Sequence, residues 1–238
     1  CKNRHCPKCQ NDKADQWLAQ KQALLLPVTY YMVTVTLPAE LRPLVRSNQK
    51  ALYNLLFRSS SAALLKLAKD PRFIGGTLGM LGVLQTWKRD LGYHPHIHYI
   101  IAGGGLSSEG RWLAARHDYL MPKKAAARIF KGKFSDGLKK LGLHNHAPAV
   151  VWKKKWGMDI KPVGSGKEAL KYLTPYIFRV AISNKNILSV TDRDVTYRYR
   201  DRESDTPQTK SLPAEKFMTR FLQHVLPKGF QKVRTYGL

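Results

Sequence analysis

Residues 93–101 read Tyr-His-Pro-His-Ile-His-Tyr-Ile-Ile, and this alternation constrains the fold more than any other segment. Side chains on a β-strand point to opposite faces in turn, so His94, His96 and His98 share one face while Ile97, Tyr99 and Ile101 share the other. Such a strand belongs in a sheet whose apolar face is covered by helices and whose histidine face is held in a fixed direction. Imidazoles two residues apart stand about 6–7 Å apart along a strand, a span that one cation bridges. His96 and His98 form the core pair of a candidate metal site. Either His94 or Gln85, which lies on the preceding strand, is the candidate third ligand. A solvated histidine row is the plainer alternative.

A second pattern lies downstream. Tyr172 and Tyr176 are four residues apart in Lys-Tyr-Leu-Thr-Pro-Tyr, on one face of a helix that an S-x-x-E capping box at 165–168 opens and that runs to about 178. Pro175 removes one backbone hydrogen bond and is expected to kink that helix. On spacing alone an aromatic pair of this kind reads as core packing. Beside a metal site it reads differently, because a tyrosine phenolate is a competent nucleophile toward a phosphodiester, and a divalent cation that polarises the phosphate is its natural complement.

The rest of the chain is expected to build an α+β domain, a central antiparallel sheet with helices packed on it. Strands are expected at 28–37, 77–87, 94–102, within 150–163, and near 233, with a hairpin from 187–190 to 195–200. Gly103-Gly104-Gly105 is expected to stop the histidine strand. Apolar residues recur at helical spacing over 39–69, where Ser59-Ser60-Ser61 suggests a bend between two helices. Further helices are expected at 11–26, 121–141 and 214–225, and a polar loop at 201–212.

The chain carries 41 Lys and Arg against 16 Asp and Glu, a formal net charge of +25 in 238 residues. Hydrophobic residues at 43% exclude a disordered basic tail, so the excess points to a folded protein with a polyanionic partner, nucleic acid above all. The residues expected to meet DNA are Lys123, Lys124 and Arg128 on one helix, and Lys153, Lys154 and Lys155 between Trp152 and Trp156, a basic run flanked by aromatics. No apolar run reaches the roughly 18 residues of a membrane span, and no signal peptide is evident. A soluble, cytoplasmic protein associated with the nucleoid is expected, with no membrane partner.

All three cysteines fall in the first nine residues, and Cys6-Pro7-Lys8-Cys9 has the spacing of a zinc knuckle. Cys1 is a possible third ligand. Because the chain opens at Cys1 rather than Met, it reads as a piece of a longer protein, with the missing Zn²⁺ ligand expected upstream.

Taken together, His96-Ile97-His98 and the Tyr172/Tyr176 pair resemble the HUH superfamily of single-strand nucleases, in particular the two-tyrosine rolling-circle transposases of bacterial insertion sequences. CKNRHCPKCQ resembles the end of that family's N-terminal zinc-binding domain. LQTW and LGYHPHIHYIIAGGGL resemble its metal strand, ALKYLTPYIFRVAISN its tyrosine helix, and FLQHVLPKGFQKVRTYGL its C-terminal block. The resemblance implies residues 1–26 as the remnant of a zinc domain plus linker helix, and 27–238 as a catalytic domain with a ferredoxin- or RRM-like palm. It implies Mg²⁺ or Mn²⁺ at His96 and His98, and single-stranded DNA, as element ends and target, for substrate. Tyr172 or Tyr176 would attack to leave a 5′-phosphotyrosine and a free 3′-OH. A replication initiator or relaxase would share this chemistry but not the cysteine-rich start. A non-catalytic zinc-knuckle binder explains the charge and leaves the histidines and tyrosines as coincidence, and a small-molecule metallohydrolase does not explain the charge.

Overall fold

The computed structural model describes residues 11–116, 118–178, 181–201 and 204–238; Cys1, Cys6 and Cys9 lie outside the described residues, as do the side chains at 11, 12, 175 and 176. In chain order the elements are α1 (Asn11–Ala23), β1 (Tyr30–Thr36), α2 (Arg42–Ser47), α3 (Gln49–Ala68), β2 (Thr77–Trp87), β3 (Tyr93–Leu106), β4 (Trp112–Ala114), α4 (Lys123–Lys140), α5 (Val150–Lys153), β5 (Gly157–Pro162), α6 (Lys167–Phe178), β6 (Ile187–Val190), β7 (Asp194–Arg200), β8 (Pro207–Pro213), α7 (Ala214–Leu222) and β9 (Val233–Gly237). The main sheet has the order β5-β1-β3-β2-β9, with β4 added to the end of β3, and every pairing in it is antiparallel. This is the expected α+β arrangement, with the histidine strand at the centre.

The alternation along β3 sets the two layers. Ile97, Tyr99 and Ile101 are buried with Leu52, Leu56 and Phe57 of α3 and Phe130 and Phe134 of α4. Ile100 and Ala102, which continue the histidine face, are buried instead with Val83 of β2 and Ala169, Leu170, Leu173 and Ile177 of α6. Helices therefore cover both faces, with α6 on the face that carries the histidines. A smaller sheet, β6-β7-β8, stands apart with its own core of Leu91, Ile182, Tyr197 and Leu212, against which Phe217 and Phe221 of α7 pack.

Three local expectations are corrected. The triple serine does not break the helix: α3 is continuous, and Ser60 and Ser61 satisfy their hydroxyls on the carbonyls of Leu56 (2.6 Å) and Phe57 (2.8 Å) one turn back. Ser60 also meets the Tyr99 hydroxyl at 2.7 Å, tying α3 to the back of β3. The triple glycine does not stop β3, which runs on to Leu106 and takes up β4. A Cβ on Gly104 would lie 2.4 Å from Trp112 Cζ2 and 2.6 Å from the Leu113 carbonyl oxygen, so glycine is what permits this close pairing. Residues 207–213 are a strand rather than loop, since alternate positions Lys210 and Leu212 turn inward against Tyr197 and Val195.

Candidate metal and nucleophile site

β3 presents His96 and His98 between two neighbours that lock them. On β1, Thr36 is opposite His96 and Thr34 opposite His98; on β2, Gln85 is opposite His96. His96 Nδ1–H donates to the His94 carbonyl at 2.6 Å, which puts the ring's lone pair on Nε2. That lone pair faces His98 Nε2 at 3.1 Å, while His98 Nδ1 meets the Thr34 hydroxyl at 3.0 Å. The rings are closer than a flat strand predicts, with centroids 4.8 Å apart and planes crossed at 80°. Burial, and then the neighbouring His96 and His94, push the His98 pKa down to about 3, so its imidazole is neutral at ordinary pH.

Of the two candidate third ligands, the structure distinguishes their surroundings. The Arg42 guanidinium donates to His94 Nδ1 at 2.9 Å, while the His94 ring stays beside that of His96, with centroids 4.9 Å apart. Gln85 is buried; its amide nitrogen donates to the Trp87 carbonyl at 3.2 Å, and its Oε1 has no hydrogen-bond partner among the described residues. A buried amide oxygen without a donor is costly unless something else fills its lone pairs, and a hard cation does so. Two lone-pair-bearing imidazoles and an amide oxygen make a donor set that fits a divalent ion. Among the described residues no group of three or more His, Cys, Asp or Glu is placed to hold one metal.

The tyrosine helix is positioned by its apolar stripe. Ala169, Leu170, Leu173 and Ile177 face the sheet, which leaves Tyr172 beside the stripe rather than within it. Its side chain is 48% exposed, and its ring stands edge-on to His98 with centroids 6.0 Å apart and planes at 88°. Tyr172 is therefore not a core residue, and α6 carries it to the histidine pair. The side chain of Tyr176 and that of Pro175 lie outside the described residues. At the start of α6 the expected capping box is replaced: Gly166 precedes the helix at φ +79° against the Tyr30 ring, and Glu168 pairs with Lys171 at 3.0 Å.

The basic residues divide between two places. Lys123, Lys124 and Arg128 are exposed on α4, and Lys153, Lys154 and Lys155 are exposed at and after α5, all on the layer behind the sheet from His96. Lys123 pairs with Asp159 at 3.7 Å and Lys154 with Glu40. The expected stacking role of Trp156 is corrected, since its ring is buried against Phe130 and Phe134 and its Nε1–H donates to the Val151 carbonyl at 3.0 Å. Trp152 is half-buried, stacked at 5.0 Å on His144 and at 5.7 Å on Trp156. Sequence reading missed four cationic groups, Arg89, Lys185, Arg198 and Arg200, which line a cleft with Gln85. The alternation Arg198-Tyr199-Arg200 on a strand was the available signal.

Comparison with known proteins gives two family matches. A family described as "Putative transposase" (Y2_Tnp) matches residues 79–238, and one described as "Transposase zinc-binding domain" (Zn_Tnp_IS91) matches residues 1–37. The chain is 34% identical over 258 residues to "Putative transposase y4qJ" of Sinorhizobium fredii (strain NBRC 101917 / NGR234), covering 100% of this chain and 65% of that protein. It is 25% identical over 252 residues to the "Transposase for insertion sequence element IS801" of Pseudomonas savastanoi pv. phaseolicola, covering 100% of this chain and 60% of that protein. The chain thus spans less than two thirds of the length of either relative. Among solved structures, a conjugative relaxase, TrwC, in complex with oriT DNA and in a metal-bound form aligns over 48% of this chain and 44% of its own, with 14% identity and a TM-score of 0.38. Among the described residues no helix is long and apolar enough to cross a membrane.

Proposed function

That this chain belongs to the Y2_Tnp transposase family is the premise from which we propose that it nicks and rejoins single-stranded DNA through a covalent phosphotyrosine, and so drives rolling-circle transposition. The observation that supports this reading is the edge-on approach of Tyr172 to His98 at 6.0 Å, on a helix whose buried face is otherwise satisfied.

His96 Nε2, His98 Nε2 and Gln85 Oε1 are the atoms that would hold Mg²⁺ or Mn²⁺. When bound, such a cation withdraws charge from the scissile phosphate and orients it. Tyr172 supplies the nucleophile in this reading: its phenol oxygen bonds to phosphorus and gives up its proton to solvent. The bond from phosphorus to the 3′ oxygen breaks, and that oxygen takes up a proton to become the free 3′-OH. Because one phosphoester replaces another, the link retains the energy needed for rejoining, and Tyr176 is the candidate for a second exchange. The neutral state of His98 keeps a lone pair available without competition from a proton. Thr34 and the His94 carbonyl orient the two rings, the role that outer partners of metal-bound histidines play. The zinc-domain match over 1–37 supports Zn²⁺ on Cys6 and Cys9, with Cys1 as a further ligand.

The test is formation of an SDS-resistant adduct with a single-stranded oligonucleotide carrying the element end, in Mn²⁺. Adduct that persists in a Tyr172→Phe/Tyr176→Phe protein rejects the nucleophile. His96→Ala is expected to lose the adduct and keep salt-sensitive DNA binding, since binding depends on phosphate neutralisation.

A further inference from the structure

At the end of β2 where Gln85 stands, a cleft of about 640 Å³ separates the main sheet from β7 of the small sheet. Its walls include Arg89, Lys185, Arg198, Tyr199 and Arg200 together with Gln85, and no carboxylate lines it among the described residues. The volume lies within the range of roughly 300–1,000 Å³ that small-molecule sites occupy. Just outside, Asp205 bridges two of these arginines. Its Oδ1 accepts from Arg89 Nη1 at 2.7 Å and its Oδ2 from Arg200 Nη1 at 3.0 Å. Asp205 holds this position from a left-handed backbone, at φ +50°, a conformation that side chains rarely adopt. All three side chains are more than half exposed, so the bridge is a weak one in water.

Two guanidinium groups gripping the two oxygens of one carboxylate present the same fork that grips two oxygens of a phosphate. We propose that this cleft is the subsite for a nucleotide of the single-stranded DNA adjoining the scissile phosphate, with its phosphate replacing the Asp205 carboxylate between Arg89 and Arg200 and its base lying against Tyr199. The proposal rests on the strand-nicking reading, because Gln85 belongs both to this cleft and to the His96–His98 donor set. It also gives a role to the cations that β7 and the β2–β3 turn bring to this cleft. The small sheet then has a function of its own, to hold the strand that leads into the site.

Binding of a short fluorescent single-stranded oligonucleotide, measured by anisotropy without divalent cation over a range of salt, tests this. Arg89→Ala/Arg200→Ala is expected to bind at least about tenfold more weakly, with a log–log salt slope shallower by about 0.7, the loss of one neutralised phosphate on a single strand. Lys66→Ala/Lys69→Ala on the far side of the molecule removes the same charge and is expected to change binding less and to leave the slope closer to wild type. Asp205→Asn is expected to tighten binding at least about threefold, and Asp136→Asn, its charge-matched control on α4, to do so by less. Lys185→Ala/Arg198→Ala, whose side chains make no ion pair among the described residues, gives the same loss if the arginine pair proves necessary for folding. Equal effects from the cleft and control variants, or no gain from Asp205→Asn, overturn the proposal. A wild-type protein that binds through the cleft and yet forms no adduct in Mn²⁺ leaves the subsite standing and removes the nicking reading instead.

Discussion

The Thr34 hydroxyl lies 3.0 Å from Nδ1 of His98, across the ladder that pairs β1 with β3. This bond is made by Nδ1 and leaves Nε2, the proposed metal ligand, untouched, so it orients the imidazole without occupying that atom. Thr34→Val preserves shape and removes the hydroxyl. The expected result is a Mn²⁺ affinity lower by about 10- to 100-fold, with the melting temperature little changed; titration calorimetry of metal binding checks it. An unchanged affinity would mean that packing alone sets the His98 ring.

Gln85 offers a more direct test of the donor set. Gln85→Leu removes the unpartnered Oε1 while filling a similar volume, and is expected to weaken Mn²⁺ binding by at least the Thr34→Val effect. The same substitution removes the unpartnered Oε1, which costs about 1–3 kcal/mol, but also the amide's bond to the Trp87 carbonyl, so the stability of the metal-free protein is expected to change little. His94→Ala is expected to leave metal affinity nearly intact, since Arg42 already occupies its Nδ1. The reverse ranking would make His94 the third ligand.

Between the two tyrosines, the geometry favours Tyr172 for the first attack. Tyr172→Phe is expected to lower adduct formation by about 10³-fold or more, the scale of losing a covalent nucleophile, while Tyr176→Phe retains first-strand adduct and loses a later exchange. Peptide mapping of the adduct by mass spectrometry on each single variant reads this out.

Acid sensitivity has a defined source away from the site. His224 is buried, its Nε2–H donating to the Leu91 carbonyl at 3.1 Å and its Nδ1 accepting from Thr86 at 3.2 Å. Burial holds its pKa down to about 4 against 6.5 for the ordinary imidazole. The unfolded chain binds the proton first, so the stability is fully present above about pH 6.5 and is lost as pH falls toward 4. The loss is on the order of 3 kcal/mol. In urea unfolding at pH 7 and pH 4, His224→Gln is expected to show a shallower fall than wild type by about this amount. A parallel fall would assign the acid sensitivity elsewhere.

Gly104 tests the extension of β3. An added methyl meets the Trp112 ring and the Leu113 carbonyl well inside contact distance, so Gly104→Ala is expected to cost about 1–3 kcal/mol and to free β4. Thermal unfolding with tryptophan fluorescence follows both effects.

What the residues determined unaided was whatever depends on local periodicity. The two-residue repeat of 93–101 placed His96 and His98 on one face and Ile97, Tyr99 and Ile101 on the other, because a strand allows no other arrangement. The helical spacing around Tyr172 placed it on a helix surface. The charge pointed to a polyanionic partner, and the α+β order followed from alternating strand and helix signals. Folding decided what depends on positions far apart in the chain. Only the packing of Leu170 and Leu173 on Ile100 and Ala102 turned Tyr172 toward His98, and only strand register set Gln85 opposite His96. Trp156 looked like a stacking platform because its neighbours in sequence are lysines, but its neighbours in space are Phe130 and Phe134. Arg89 and Arg200 are more than a hundred residues apart, and no pattern in the chain announces that one carboxylate lies between them. Burial and proximity are sums over the whole fold, whereas periodicity is a property of a few consecutive residues, and the candidate site needs both.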